Sequence, residues 1–112
     1  MTEKQAFRAA QWAQRMLRLG DWQLRLLFSE DAPEEFGSVL TDAGACLCDV
    51  NRKTAAIWAI PDADSLDTIM HEVLEVAYAD AGIKHRQTDG KHSLLYTLAA
   101  MMAKAYQAKV KP

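Results

Sequence analysis

The chain has 112 residues, half of them hydrophobic and a quarter charged, with a formal net charge of −2. That is the make-up of one globular domain (1–112) with room for one core, and the balance of charge excludes a general attraction to nucleic acid or to an anionic membrane surface. No apolar run approaches the about 20 residues of a membrane-spanning helix, and the opening MTEKQAFRAAQWAQ lacks the apolar centre of a secretory signal, so a cytoplasmic location is expected.

Residues 2–19 are predicted as a helix. Thr2 can cap it, with Gln5 at the capping-box position. Phe7, Ala10, Met16 and Leu17 mark an apolar side that Ala9, Trp12 and Ala13 widen, and Gly20 is expected to end it. Residues 22–28 (WQLRLLF) set Trp22, Leu24 and Leu26 against Gln23, Arg25 and Leu27, the alternation of a half-buried strand. Residues 29–37 are acidic and contain Pro33 and Gly37, which indicates a loop or at most a short helical turn. Val39 and Leu40 can begin a strand, which Asp42 and Gly44 interrupt.

Residues 45–50 (ACLCDV) and 54–60 (TAAIWAI) form the clearest local pair, joined by Asn51, Arg52 and Lys53 in a link short enough for a hairpin. Cys46 and Cys48 flank Leu47 and share one face of that first strand. They are too close along the chain to favour a mutual disulfide, and reduced core thiols are expected. Pro61 stops the second strand.

Residues 65–81 (SLDTIMHEVLEVAYADA) read as one helix, the element around which the rest is arranged. Leu66, Ile69, Met70, Val73, Leu74 and Ala77 recur at the spacing of one buried face. Asp64 or Ser65 can cap the start, and Gly82 can take the left-handed conformation that ends helices. Met70 and Val73 are expected in the core, with His71 and Glu75 facing a cleft. A polar connection containing His85 follows. Residues 91–109 form a last helix with Leu94, Leu98, Met101 and Ala105 along one side. The predicted class is α+β: a small three-stranded, mainly antiparallel sheet with an N-terminal helix, a motif helix and a C-terminal helix.

The chemistry sits on the motif helix. His71 and Glu75 are one turn apart and can address one object, with Glu72 rotated by about 100° beside them. Zinc hydrolysis needs three protein ligands, one open position and a base beside the attacking water. His71, Glu75 and a third residue can be the metal ligands, and Glu72 the base. For the third ligand His92 is preferred, because a helix holds it firmly; His85 and Asp89 compete. Glu75 in place of an imidazole adds negative charge, which weakens the metal as a Lewis acid. The same three residues also suit an ordinary solvated helix face. Trp12, Trp22 and Trp58 are expected to fill the core, although Trp58 on an edge strand could line a cleft; Tyr78 can touch such a cleft, and Tyr96 and Tyr106 read as packing residues.

T-A-A-I-W-A-I-P (residues 54–61) followed by D-T-I-M-H-E-V-L-E-V-A (residues 67–77) resembles the core of the zincin metallopeptidases. The likeness is to the minimal, SprT-like and minigluzincin-like members, including small phage-encoded ones, and the order of elements extends it over most of the chain. It implies zinc as cofactor, His71 as first ligand and Glu72 as general base. The second ligand histidine of the family falls on Glu75, and the third, a glutamate in minigluzincins, falls near His92; both depart from the family pattern. The resemblance also implies that the strand from Thr54 to Ile60 is a sheet edge that pairs with an extended peptide or protein substrate. Three readings follow: a small zinc-dependent metallopeptidase, a catalytically inactive zincin-like binding module, or a plain α+β interaction domain.

Overall fold

A computed structural model of the chain describes residues 1–37, 43–83 and 90–110, the side chain of Lys91 aside. The expected strand start at Val39 and Leu40, and the candidate ligands His85 and Asp89, lie outside the described residues. The first helix, α1, runs Glu3–Met16. Its capping box forms as expected: the Gln5 amide donates to Thr2 Oγ1 at 3.1 Å, and the Thr2 amide donates to Gln5 Oε1 at 2.8 Å. The helix stops three residues short of the expected Leu19. Arg18, at φ +57°, takes the left-handed position assigned to Gly20. Leu19 then donates back to the Gln14 carbonyl and Arg18 to that of Arg15, which closes the end. The buried face is also displaced: Ala6, Ala9, Ala10 and Ala13 lie inside, while Phe7 and Met16 are exposed. Alanines on the inner face let the helix backbone approach its neighbours, which the bulkier Phe7 does not allow.

Strand β1 (Gln23–Phe28) is followed by a 3-10 turn at Glu34–Phe36 within the acidic stretch. Strands β2 (Gly44–Asp49) and β3 (Thr54–Ala59) make the expected antiparallel hairpin, with Gly44 opposite Ala59 and Asp49 opposite Thr54. The strand order is β1-β3-β2, and β1 runs parallel to β3 from Gln23↔Thr54 to Phe28↔Ala59. The 54–60 strand is therefore the centre of the sheet and not its edge, which corrects the expectation drawn from the resemblance. The physical reason lies in its composition. Ala55, Ile57 and Ala59 join the core, and Ala56 and Trp58 are buried on the opposite face; a strand apolar on both faces belongs in the middle. Trp58 is buried, as expected, and lines no cleft: its indole donates to the Ser29 carbonyl at 2.9 Å.

The motif helix α2 spans Ser65–Asp80 and packs against α1, α3, β2 and β3. Asp64 occupies the N-cap position without a side-chain capping bond. The Ser65 hydroxyl instead accepts from the Asp62 amide at 2.8 Å and donates to the Ile60 carbonyl at 2.8 Å, tying the end of β3 to the helix start. Gly82, at φ +74°, ends it as expected, with Ile83 donating to the Tyr78 carbonyl. Ile69, Met70, Val73 and Leu74 are buried together with Val76. Trp22 fixes the far end by donating to Asp80 Oδ1 at 3.0 Å. Helix α3 (Gly90–Val110) turns Leu95, Ala99 and Ala103 inward and leaves Leu94 and Met101 exposed, so the expected stripe through 94 and 101 is rotated by about one residue. The outcome is the α+β class with three helices and a three-stranded sheet. Among the described residues no helix is long and apolar enough to cross a membrane.

Candidate metal centre

Helix geometry sets the first two donors. One turn of α2 separates His71 from Glu75, and His71 Nε2 lies 3.8 Å from Glu75 Oε1. The first turn of α3 packs on that same part of α2 and brings His92 in. The imidazoles of His71 and His92 meet edge to face, with centroids 5.3 Å apart and planes at 73°. One donor atom from each of His71, Glu75 and His92 lies within 4.8 Å of the others. Ligands about 2.0–2.2 Å from a shared zinc in a tetrahedral array stand roughly 3.3–3.6 Å from one another. Small rotamer adjustments therefore suffice, and the three residues fit a metal ion. Two nitrogens and one carboxylate oxygen form a donor set of borderline hardness.

The surroundings are not those of a solvated helix face. His92 and Glu72 are each only 5% exposed. A cleft of about 520 Å³ opens onto His71, Glu72, Glu75 and His92, walled by Asp67, Thr68, Tyr96 and Ala99 and reaching Ala43. A more open depression of about 440 Å³ at the end of the sheet, lined by β1, β2 and β3, holds no comparable donor set.

Two contributors carried no signal, or the wrong one, in the sequence. Gly44, read as an interruption, begins β2 against α2. A Cβ built there would stand 2.5 Å from Thr68 Cγ2, 2.8 Å from the Trp58 carbonyl oxygen and 3.3 Å from Glu72 Oε2. The missing side chain lets strand and helix meet beside the Glu72 carboxylate. Tyr96, read as packing, stands one turn after His92, its ring 4.6 Å from that of His71 and 4.9 Å from that of His92. It is 60% exposed and forms the outer wall of the cleft. Its i, i+4 relation to His92 was the available clue. Tyr78 packs half-buried against the core and does not line the cleft.

No family model, curated protein or solved structure matches the chain.

Proposed function

We propose that the chain is a small zinc-dependent hydrolase, a metallopeptidase of zincin type, with His71, Glu75 and His92 as metal ligands and Glu72 as general base. The observation that carries this reading is the convergence of three donors from two helices beside a buried carboxylate. Zinc, when bound, polarises a carbonyl and makes water more acidic. The chain's own residues supply the rest. Glu72 follows His71 directly, so its carboxylate is rotated off the ligand pair and is available to take a proton from the attacking water and pass it to the leaving amine. The Tyr96 ring shields the imidazoles from one side. The substrate proposal moves from the 54–60 strand to β2, because a peptide adds only to an edge. Among the described residues no strand pairs on the outer side of β2, and β2 begins at Gly44 beside Glu72.

The negative charge of Glu75 favours a second reading, a metal-holding binding module without turnover. Calorimetric titration with zinc at neutral pH, followed by incubation of zinc-loaded protein with an unfolded protein substrate, separates the two. The hydrolase reading expects saturable binding that His71→Ala abolishes, and cleavage that Glu72→Gln removes while binding persists. Binding without cleavage leaves the module, and no saturable binding in the micromolar range overturns both.

A further inference from the structure

Cys46 and Cys48 are not among the donors of the cluster just described. Alternation along β2 puts Gly44, Cys46 and Cys48 on the side that faces α2, and their partners Ala59, Ile57 and Ala55 on β3 belong to the core. The two Sγ atoms are 3.1 Å apart. Cys46 is half-buried and Cys48 exposed. The two thiols share a hydrogen bond in which either sulfur can donate; it pushes the Cys46 thiol up and holds the Cys48 thiol below its ordinary value, while the negative charge of Glu75 bears on both and that of Glu72 on Cys46.

Two chemistries can use such a pair. A disulfide prefers Cα atoms about 5.5–6 Å apart, whereas alternate residues of an extended strand stand about 6.6–6.8 Å apart. That lies at the upper end of the usual range of about 4.4–6.8 Å, so a direct bridge would be a stretched one. A cation held by both sulfurs asks less. With metal–sulfur bonds of about 2.3 Å at a tetrahedral angle, the sulfurs stand roughly 3.8 Å apart, an opening that rotation of the exposed Cys48 side chain can supply without moving the strand.

We infer that Cys46 and Cys48 form a two-thiolate clamp for a soft, thiophilic d10 cation, separate from the His71–Glu75–His92 cluster. Binding replaces the shared S–H hydrogen bond by two metal–sulfur bonds and releases the thiol protons to solvent. Thiolate ligands select soft cations, and the nearby carboxylate charge attracts a cation of either kind. The site would let this edge strand sense or sequester such an ion independently of what the imidazoles hold.

Cadmium is the probe, because its bonds to thiolate give an ultraviolet charge-transfer band that histidine and carboxylate ligands do not. Reduced, metal-free, full-length protein is titrated anaerobically. The expected result is a band that saturates at one cadmium per chain, is lost in Cys46→Ser and in Cys48→Ser, and survives in His71→Ala. Wild-type protein supplies a check that needs no variant: one equivalent of cadmium should protect both thiols from a thiol-specific disulfide reagent. Absence of the band, persistence of it in either cysteine variant, protection of one thiol only, or its loss in His71→Ala would each overturn the clamp as a separate site. Zinc also binds thiolates, so binding at His71 is scored as the part of the zinc calorimetric signal that His71→Ala removes and Cys46→Ser keeps; failure of one site then does not mask the other.

Discussion

Glu72 and Gly44 meet where β2 crosses α2, and the contact explains why so small a residue stands at the start of an edge strand. A methyl group at Gly44 would overlap Thr68 and the Trp58 carbonyl and press on Glu72. The Trp58 carbonyl belongs to the β2–β3 ladder and cannot retreat. Gly44→Ala is therefore expected to destabilise by about 1–3 kcal/mol, the usual range for overpacking, measured by denaturant unfolding, and to displace the carboxylate proposed as base. A loss near zero would show that strand and helix can part without cost. Arg18 offers the opposite case. Its left-handed conformation closes α1 in the same pattern that Gly82 uses for α2, but a side chain at that φ carries strain. Arg18→Gly relieves it against a loss of chain entropy, and a net gain of about 0.5–1 kcal/mol is expected by thermal unfolding.

At the scale of elements, α2 is enclosed by α1, α3 and the two hairpin strands, so its turns differ in what they touch. Leu74 is 3% exposed and belongs to the main core. Leu74→Ala should cost about 2–5 kcal/mol from lost burial plus the cavity left behind; a cost under about 0.5 kcal/mol would contradict the packing. His71, three residues earlier, faces the cleft and should behave differently: His71→Ala is expected to change the stability of metal-free protein much less than Leu74→Ala does. The pair of variants thus separates the structural from the chemical face of one helix.

The molecule as a whole joins α2 to α3 through the proposed metal. A ligand that binds only the folded chain stabilises it by about 2.7 kcal/mol at one hundred times its dissociation constant. Zinc should raise the unfolding midpoint of the wild type accordingly, and EDTA should reverse the gain. His92→Ala should abolish the zinc-dependent part, because it removes the one donor that α3 contributes. Acidification should weaken it too: imidazole donates to metal only when neutral, so protons compete with zinc and the midpoint shift shrinks as the pH falls. A shift that is unaltered in His92→Ala would mean that zinc binds elsewhere.

Much of this architecture is legible in the amino-acid order, because the interactions concerned reach only a few residues. The Thr2–Gln5 box, the left-handed Gly82, the short link from Asn51 to Lys53 and the His71–Glu75 spacing are all local, and each forms with partners the chain itself brings near. The burial of Met70 and Val73 follows from the period of α2 for the same reason. Other features needed the assembled molecule. Helix α3 is apolar nearly all round, so its period could not choose between Leu94 and Leu95, and packing on α2 chose Leu95. The place of β3 depended on whether β1, far away in the chain, would pair on its free side; its two-sided apolar run was the available hint. The approach of His92 to His71 and of Gly44 to Glu72 likewise depends on how separate elements dock. Spacing within one helix can place two donors, but the third and the carboxylate's surroundings are decided by contacts between residues that sequence distance does not order.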